Sequence, residues 1–562
     1  MTTTFLGAVA RRRADALLSV SHNVDAILAS LLAGQDIDQA DEAKGGATAL
    51  WTASRDGDLS NVAMLVSAGA NVDRAKGGGS GGGGGGITPL YIACWSGHAT
   101  IVAVLLDAGA ATSYAKANGV GPLHIASSKG RTQIARMLLQ ARSAVDQAAS
   151  DGSTPLYAAV KHGHTDTASA LIDAGATVDC IAHTGASPLL LACKADDHKT
   201  VMVLLNAGAA PDYTSEDVVT PLYTACQRGN ALIASMLCAA GATVDPSSGG
   251  ADDLAQRTAD QLRGARMAPL NISCQEGHVA TVSVLLAARA ELERRSAHGG
   301  VTPLLIASSS GHVEIASALL GAGASVNVAD DDGETALFVA CCHGHAATAA
   351  LLLASRANVD QANVAGATPL YAACIEGQMR CVQLLSSYGS ARSLVVHGIR
   401  EEVEELAAHE GHASIAAWLA SSRRWSSPLH HLCVLDETRA RVLLRGGARL
   451  DANDGLAPDG ETPLSIARQM RAGGAASDGT AAALVLQAAQ RWSPATHALF
   501  PHAARVYAVE LMLIGHRLGS MLGSRAAPCG TRAADYGGAL FDALLDRVMP
   551  EVICRATAAR DH

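Results

Sequence analysis

The tripeptide Thr-Pro-Leu, or a near variant of it, begins at Thr48, Thr88, Gly121, Thr154, Ser187, Thr220, Ala268, Thr302, Thr335 and Thr368. Successive starts are separated by 40, 33, 33, 33, 33, 48, 34, 33 and 33 residues. A fixed period of this length signals a repeat architecture, in which each repeat contacts only its neighbours. The two long separations are insertions of about 7 and 15 residues, and both fall in the same part of the repeat.

Residues 88–107 show why one repeat folds as it does. Thr88 can cap a helix whose first turn accepts Pro89, because a first-turn amide has no intrahelical partner. Leu90, Ile92 and Ala93 then face inward, and Gly97 supplies the left-handed residue that ends the helix. A second helix carries Ile101, Val102, Leu105 and Leu106 on one face, and Gly109 ends it. A polar stretch reaching Gly119 and Gly121 leads into the next cap. Two short helices and an extended loop cannot bury an apolar face alone, so they must stack.

These residues closely resemble the ankyrin repeat. The family's order of Thr-Pro-Leu-His, Ala-Ala, Gly-His, Leu-Leu, Gly-Ala and a terminal Asn or Asp is found here as TPLYIACWSGHATIVAVLLDAGA, from Thr88 to Ala110. Asp73, Asp146, Asp179, Asp212, Asp245, Asn327 and Asp360 each stand 25 residues after the start of their own repeat. The resemblance extends from about Thr48 to Tyr388 and implies an all-α solenoid with β-hairpin-like fingers and a concave binding face. Four segments follow: an N-terminal capping repeat (1–47), regular repeats (48–390), degenerate and C-terminal repeats (391–492) and a helical tail (493–562).

The ends are less regular. Residues 15–38 read as a capping repeat with Ile27, Leu28, Leu31 and Leu32 as its inner stripe. Residues 402–421 keep Gly411, His412 and Trp418 but lack Thr-Pro-Leu, Ser427 to His430 begin another repeat, and Thr462, Pro463 and Leu464 begin the last. In the tail, 502–518 and 540–547 read as helices.

Composition agrees with thin stacked helices. Of 562 residues 49% are hydrophobic but only 3% aromatic, so the apolar content is small and aliphatic. A net charge of -10 lacks the basic surplus that phosphate contacts need, so nucleic acid is not an expected partner. Arg11, Arg12 and Arg13 follow a short apolar stretch, the reverse of a secretory signal, and the acid-free Thr2 to Arg13 leaves a transit peptide as the alternative. Thirteen cysteines without a signal peptide point to a reducing compartment, the cytoplasm or nucleus. The uncharged window 335–355 could pass for a membrane span, but the repeat phase accounts for it as two short helices.

Phase also decides the candidate chemistry. Cys94, Cys193, Cys226, Cys274, Cys341, Cys374 and Cys433 each lie six residues after their repeat's start, a slot that elsewhere holds Ser54, Ser127, Val160 or Ser308. Stacked helices lie roughly 8–10 Å apart, whereas zinc thiolates share one metal at about 2.3 Å, so a packing role is expected and no metal. His98, His164, His278, His312, His345 and His412 follow a turn glycine, where an imidazole can satisfy loop carbonyls. Tyr91, Tyr157, Tyr223 and Tyr371 read as packing residues whose hydroxyls reach a loop. The glycines of residues 81–86 lack the Lys-Ser/Thr of a phosphate loop. No nucleophile–base pair stands outside the repeat phase, so neither catalysis nor a cofactor is expected. Arg142, Arg289 and Arg356 occupy a slot that is glycine in the other regular repeats, and positive φ is expected at all three.

Binding is expected seven and eight residues after each start, near the first helix's end. Trp95, Lys129, Lys161, Lys194 and Arg228 stand there, the last four as a basic strip across consecutive repeats of an acidic chain. Ordinary solvated charge is the plain reading of such a strip. The sharper one is a scaffold for partner proteins, with an acidic or phosphorylated segment along the strip. A substrate-recognition adaptor of a ubiquitin ligase, docked through the tail, is the alternative.

Overall fold

The computed structural model describes residues 36–40, 45–76, 86–213, 219–245, 268–296, 299–396, 399–422, 428–433, 435, 437–445, 448, 462–475 and 480–489. The expected inner stripe of the capping repeat, the insertion 246–266, nearly all of the glycine block 77–86 and the tail 493–562, with the docking element assigned to it, lie outside these residues. The chain divides into two compact units, Met1–Glu291 and Leu292–His562.

In the first unit the helices come in pairs. Ala49–Asp56, Pro89–Ser96, Pro122–Ser128, Pro155–Lys161, Pro188–Lys194, Pro221–Gln227 and Pro269–Gln275 are the first helices. Leu59–Ser67, Ala99–Asp107, Thr132–Gln140, Thr165–Asp173, His198–Asn206, Ala231–Ala239 and Val279–Ala287 follow as their partners. First helices pack on first helices of the adjacent repeats, and second on second. The second unit continues the pattern with Pro303–Ser309 and Val313–Gly321, Ala336–Cys342 and Ala346–Ala354, Pro369–Ile375 and Met379–Ser387, and Val403–His409 and Ala413–Ser421.

Local chemistry starts each pair. Thr48, Thr88, Thr154, Ser187, Thr220, Thr302, Thr335 and Thr368 each accept a hydrogen bond from the N–H three residues on. Gly121 and Ala268 cap without a side-chain bond, which forgoes about 1 kcal/mol at the alanine and only roughly a few tenths at the glycine. The core is then built from two leucines per repeat. On the first helix Leu90, Leu156, Leu222, Leu337 and Leu370 are fully buried, and on the second Leu105, Leu138, Leu171, Leu204 and Leu319 are too. Each contributes about 1.5–3 kcal/mol, realised only when the next repeat is in place. Leu106, expected on the inner face, is half-buried.

A second set of bonds ties repeat to repeat. The Asp73 carboxylate accepts from the Ala111 N–H at 2.9 Å, Asp146 from Thr177 at 3.0 Å, Asp179 from Ala210 at 3.1 Å and Asp360 from Ala391 at 2.9 Å. Asn327 receives the Asn358 N–H at 2.8 Å in the same way. The recurring acid is therefore a staple between consecutive loops. The fingers close on themselves, as where Ala149 N–H donates to the Ser153 carbonyl at 2.8 Å, and join their neighbours, as where Ser150 N–H donates to the Asn118 carbonyl at 2.8 Å.

Among the described residues one two-stranded antiparallel hairpin is regular: β1 (Ser393–Val396) and β2 (Ile399–Glu402), in the register Ser393 opposite Glu402. The Arg392 guanidinium donates to the Leu419 carbonyl at 2.9 Å, capping the helix Ala413–Ser421. The repeat expected from Ser427 departs from the pattern, since its first helix is only a 3-10 turn, Pro428–His431, before Glu437–Arg445. Cys433 lies past that turn and is exposed, so the packing role expected for it fails with the helix that would have buried it. Pro463–Ala472 and Ala481–Ala488 complete the last pair, packing Ala467, Leu484 and Val485 with Leu429, Leu432 and Leu444.

Candidate partner-binding face

The first helices of the first unit end in a row, and the chemistry of that row follows from their C-terminal residues. Lys161 and Lys194 close Pro155–Lys161 and Pro188–Lys194, and Lys129 directly follows Pro122–Ser128. A cation suits the negative end of each helix. All three side chains are exposed. Among the described residues none of the three ammonium groups has an ion-pair or hydrogen-bond partner. His162 lies within their field: partial burial, then His164, Lys161 and Lys129, push its imidazole below the usual histidine value. Trp95, on the repeat before Lys129, is 48% exposed, whereas Trp51 is buried with the Lys76 Nζ 4.7 Å from its ring centroid.

Arg228 differs from the three lysines. Its Nε donates to both oxygens of Asp196 at 3.0 Å, and a terminal nitrogen donates to Oδ2 at 2.7 Å. The guanidinium fork is thus occupied, and the strip expected to span four repeats offers unpaired cations on three. Hydrogen bonding to Arg228 in turn holds the Asp196 carboxyl below the usual carboxylate range. Asp196 was not singled out by the sequence. It takes φ 56° in a slot that is glycine in the other regular repeats. The one available signal was the absence of that glycine.

The remaining candidates resolve into structure. Cys94, Cys193, Cys226, Cys274, Cys341 and Cys374 are buried and free, and burial pushes Cys193, Cys226, Cys274 and Cys374 up to about 12. Thiols held neutral in this way are packing residues rather than thiolate nucleophiles. Among the described residues no group of three or more His, Cys, Asp or Glu is placed to hold a metal ion. His98, His164, His278, His345 and His412 each put Nε2 within 2.8–3.2 Å of the last-turn carbonyl of the preceding repeat's first helix, at Arg55, Ser128, Gln227, Ser309 and Ile375. The Tyr157 hydroxyl reaches Thr184 Oγ1 at 3.0 Å in the finger. Arg142, Arg289 and Arg356 have φ of 59°, 61° and 67°, as expected.

Two family models match the chain. The one described as ankyrin repeats (3 copies) matches residues 17–116, 111–182, 250–330 and 322–393, and the single ankyrin repeat matches 184–216. The chain belongs to the ankyrin repeat family. Ankyrin repeats are generally protein–protein interaction modules. The match from residue 17 takes in most of the segment read as an N-terminal capping repeat. No curated protein matches the chain. Among the described residues no helix is long and apolar enough to cross a membrane, and the uncharged window 335–355 is two helices broken at Gly344, whose φ is 77°.

Proposed function

We propose that this ankyrin repeat protein is a non-enzymatic scaffold whose first unit holds an acidic or phosphorylated segment of a partner protein along Lys129, Lys161 and Lys194, with Trp95 at one end. The observation that carries the reading is the contrast within the row. Three cations on consecutive repeats stand exposed without an ion-pair partner among the described residues, and the next, Arg228, is neutralised by Asp196. On an acidic protein an uncompensated basic row steers and selects anionic ligands. The same reading puts the protein in the cytoplasm or nucleus, and its support is the set of free cysteines.

The test is a pull-down with the double variant Lys161→Glu and Lys194→Glu, its fold checked by circular dichroism. Reversal removes the most acidic partner from the recovered set and weakens the salt dependence of its capture. Unchanged recovery overturns the assignment of this row as the binding face.

A further inference from the structure

The row carries information about its ligand's backbone as well as its charge. First helices of consecutive repeats pack directly on one another, which sets their axes roughly 8–10 Å apart. Each of three consecutive repeats presents one unpaired ammonium, at Lys129, Lys161 and Lys194. Lys129 stands one position later in its repeat than the other two, an offset that a four-carbon stem absorbs. A ligand that serves all three must place one anionic group about every 8–10 Å, all on one side.

A β-strand does not meet this requirement. Its side chains alternate, so same-side groups recur at about 6.6 Å or 13 Å. An α-helix brings same-face residues back at about 5–6 Å over one turn and about 10.5 Å over two, on either side of the row's roughly 8–10 Å. A polyproline II helix has three residues per turn and a rise of about 3.1 Å, so every third side chain falls on one face about 9.3 Å from the last. That spacing matches the row.

The kind of anion follows from which cations are free. Dianionic phosphate is best held by a bidentate guanidinium fork, and the row's fork, on Arg228, is filled by Asp196. Single ammonium groups, one per repeat, suit single carboxylates. Trp95, 48% exposed on the repeat next to that of Lys129, adds an aromatic face of the sort that proline rings pack against.

We propose that the first unit binds a polyproline II segment carrying a carboxylate at every third position, with proline between, and an apolar residue at the Trp95 end. This rests on the reading of the row as the binding face and names the ligand for it. The probes are fluorescent peptides built on Glu-Pro-Pro repeats, with a leucine at either terminus to cover both chain directions. Controls are an isomer of the same composition with Glu at every second position, a Glu-Gly-Gly peptide, and one with a single phosphoserine in place of the three Glu.

Titrated against the full chain, one Glu-Pro-Pro peptide binds about tenfold tighter than the every-second isomer. Lys161→Gln abolishes most of that advantage, and Trp95→Ala lowers affinity for the leucine-bearing peptide. Equal binding of all the acidic peptides overturns the period of three and leaves the binding face standing. Tighter binding of the phosphoserine peptide overturns the carboxylate assignment. No binding by any of them, or binding that Lys161→Gln does not touch, overturns the ligand and the face together.

Discussion

Each repeat turns twice, once between its helices and once after the second, and both turns use a left-handed residue for different reasons. At the first turn a Cβ built on Gly130 or Gly311 would come within 2.5 Å of the imidazole of His164 or His345 in the next repeat. Those imidazoles are held in place by bonds to the Ser128 and Ser309 carbonyls, so they cannot swing aside cheaply. At the second turn a Cβ on Gly69, Gly109, Gly175, Gly208, Gly241 or Gly323 would meet nothing within 4 Å. Where the next repeat carries a histidine the first turn demands glycine for space and for φ, whereas at Gly163, which precedes a repeat with Asp197 in that slot, a Cβ would meet nothing within 4 Å. The second demands it for φ alone, which is why Arg142, Arg289 and Arg356 are tolerated there.

Asp196 is the exception that explains the rule. It sits at a first turn with φ 56°, yet the next repeat has Asn230 where most others have histidine. With the ring gone, the turn accepts a side chain, and that side chain pairs with Arg228. A choice made for packing thereby removes one cation from the binding row.

Five substitutions test this contrast. Gly311→Ala carries both penalties, the left-handed conformation and the displaced His345 bond, and lowers stability by about 2–3 kcal/mol. Denaturant titration showing no larger loss than at a second turn would erase the distinction. Asn230→His restores a ring against Asp196 and costs about 1–2 kcal/mol. Adding Asp196→Gly recovers it, and an additive double-mutant cycle would show that the two positions are independent. Gly109→Ala, with open space around it, loses about 1 kcal/mol. Arg356→Gly relieves the φ strain and stabilises by a few tenths to about 1 kcal/mol in thermal melts; destabilisation would mean that the arginine side chain contributes more than its backbone costs.

Much of this was legible in the chain because it is local and periodic. Thr88 caps its own helix, Leu90 faces inward because of the helix that Thr88 starts, and Arg142 stands in a slot whose backbone the other repeats define. Asp196 escaped notice because its tolerance depends on Asn230, a residue in another repeat. The acids at Asp73, Asp146 and Asp360 were visible as a pattern, but their partners are amides of the following repeat and have no sequence mark of their own. The repeat at Ser427 retained the letters of the motif while its first helix shortened to a 3-10 turn, which is why Cys433 is exposed.

The binding row shows the same division. Lys129, Lys161, Lys194 and Arg228 read alike in the sequence, each seven or eight residues after its repeat's start and at a first-helix end. Their difference lies in a contact between consecutive repeats, the Arg228 fork closing on Asp196.

The sequence by itself determined the family, the pairing of helices, the starts of the first helices in the regular repeats and the left-handed arginines, because each depends on residues within one period. Only the tertiary structure decided which glycines are irreplaceable, which acids join repeats and which cations remain unpaired. Those properties belong to the space between repeats, where one turn's Cα meets the next repeat's side chain, and no single period contains both.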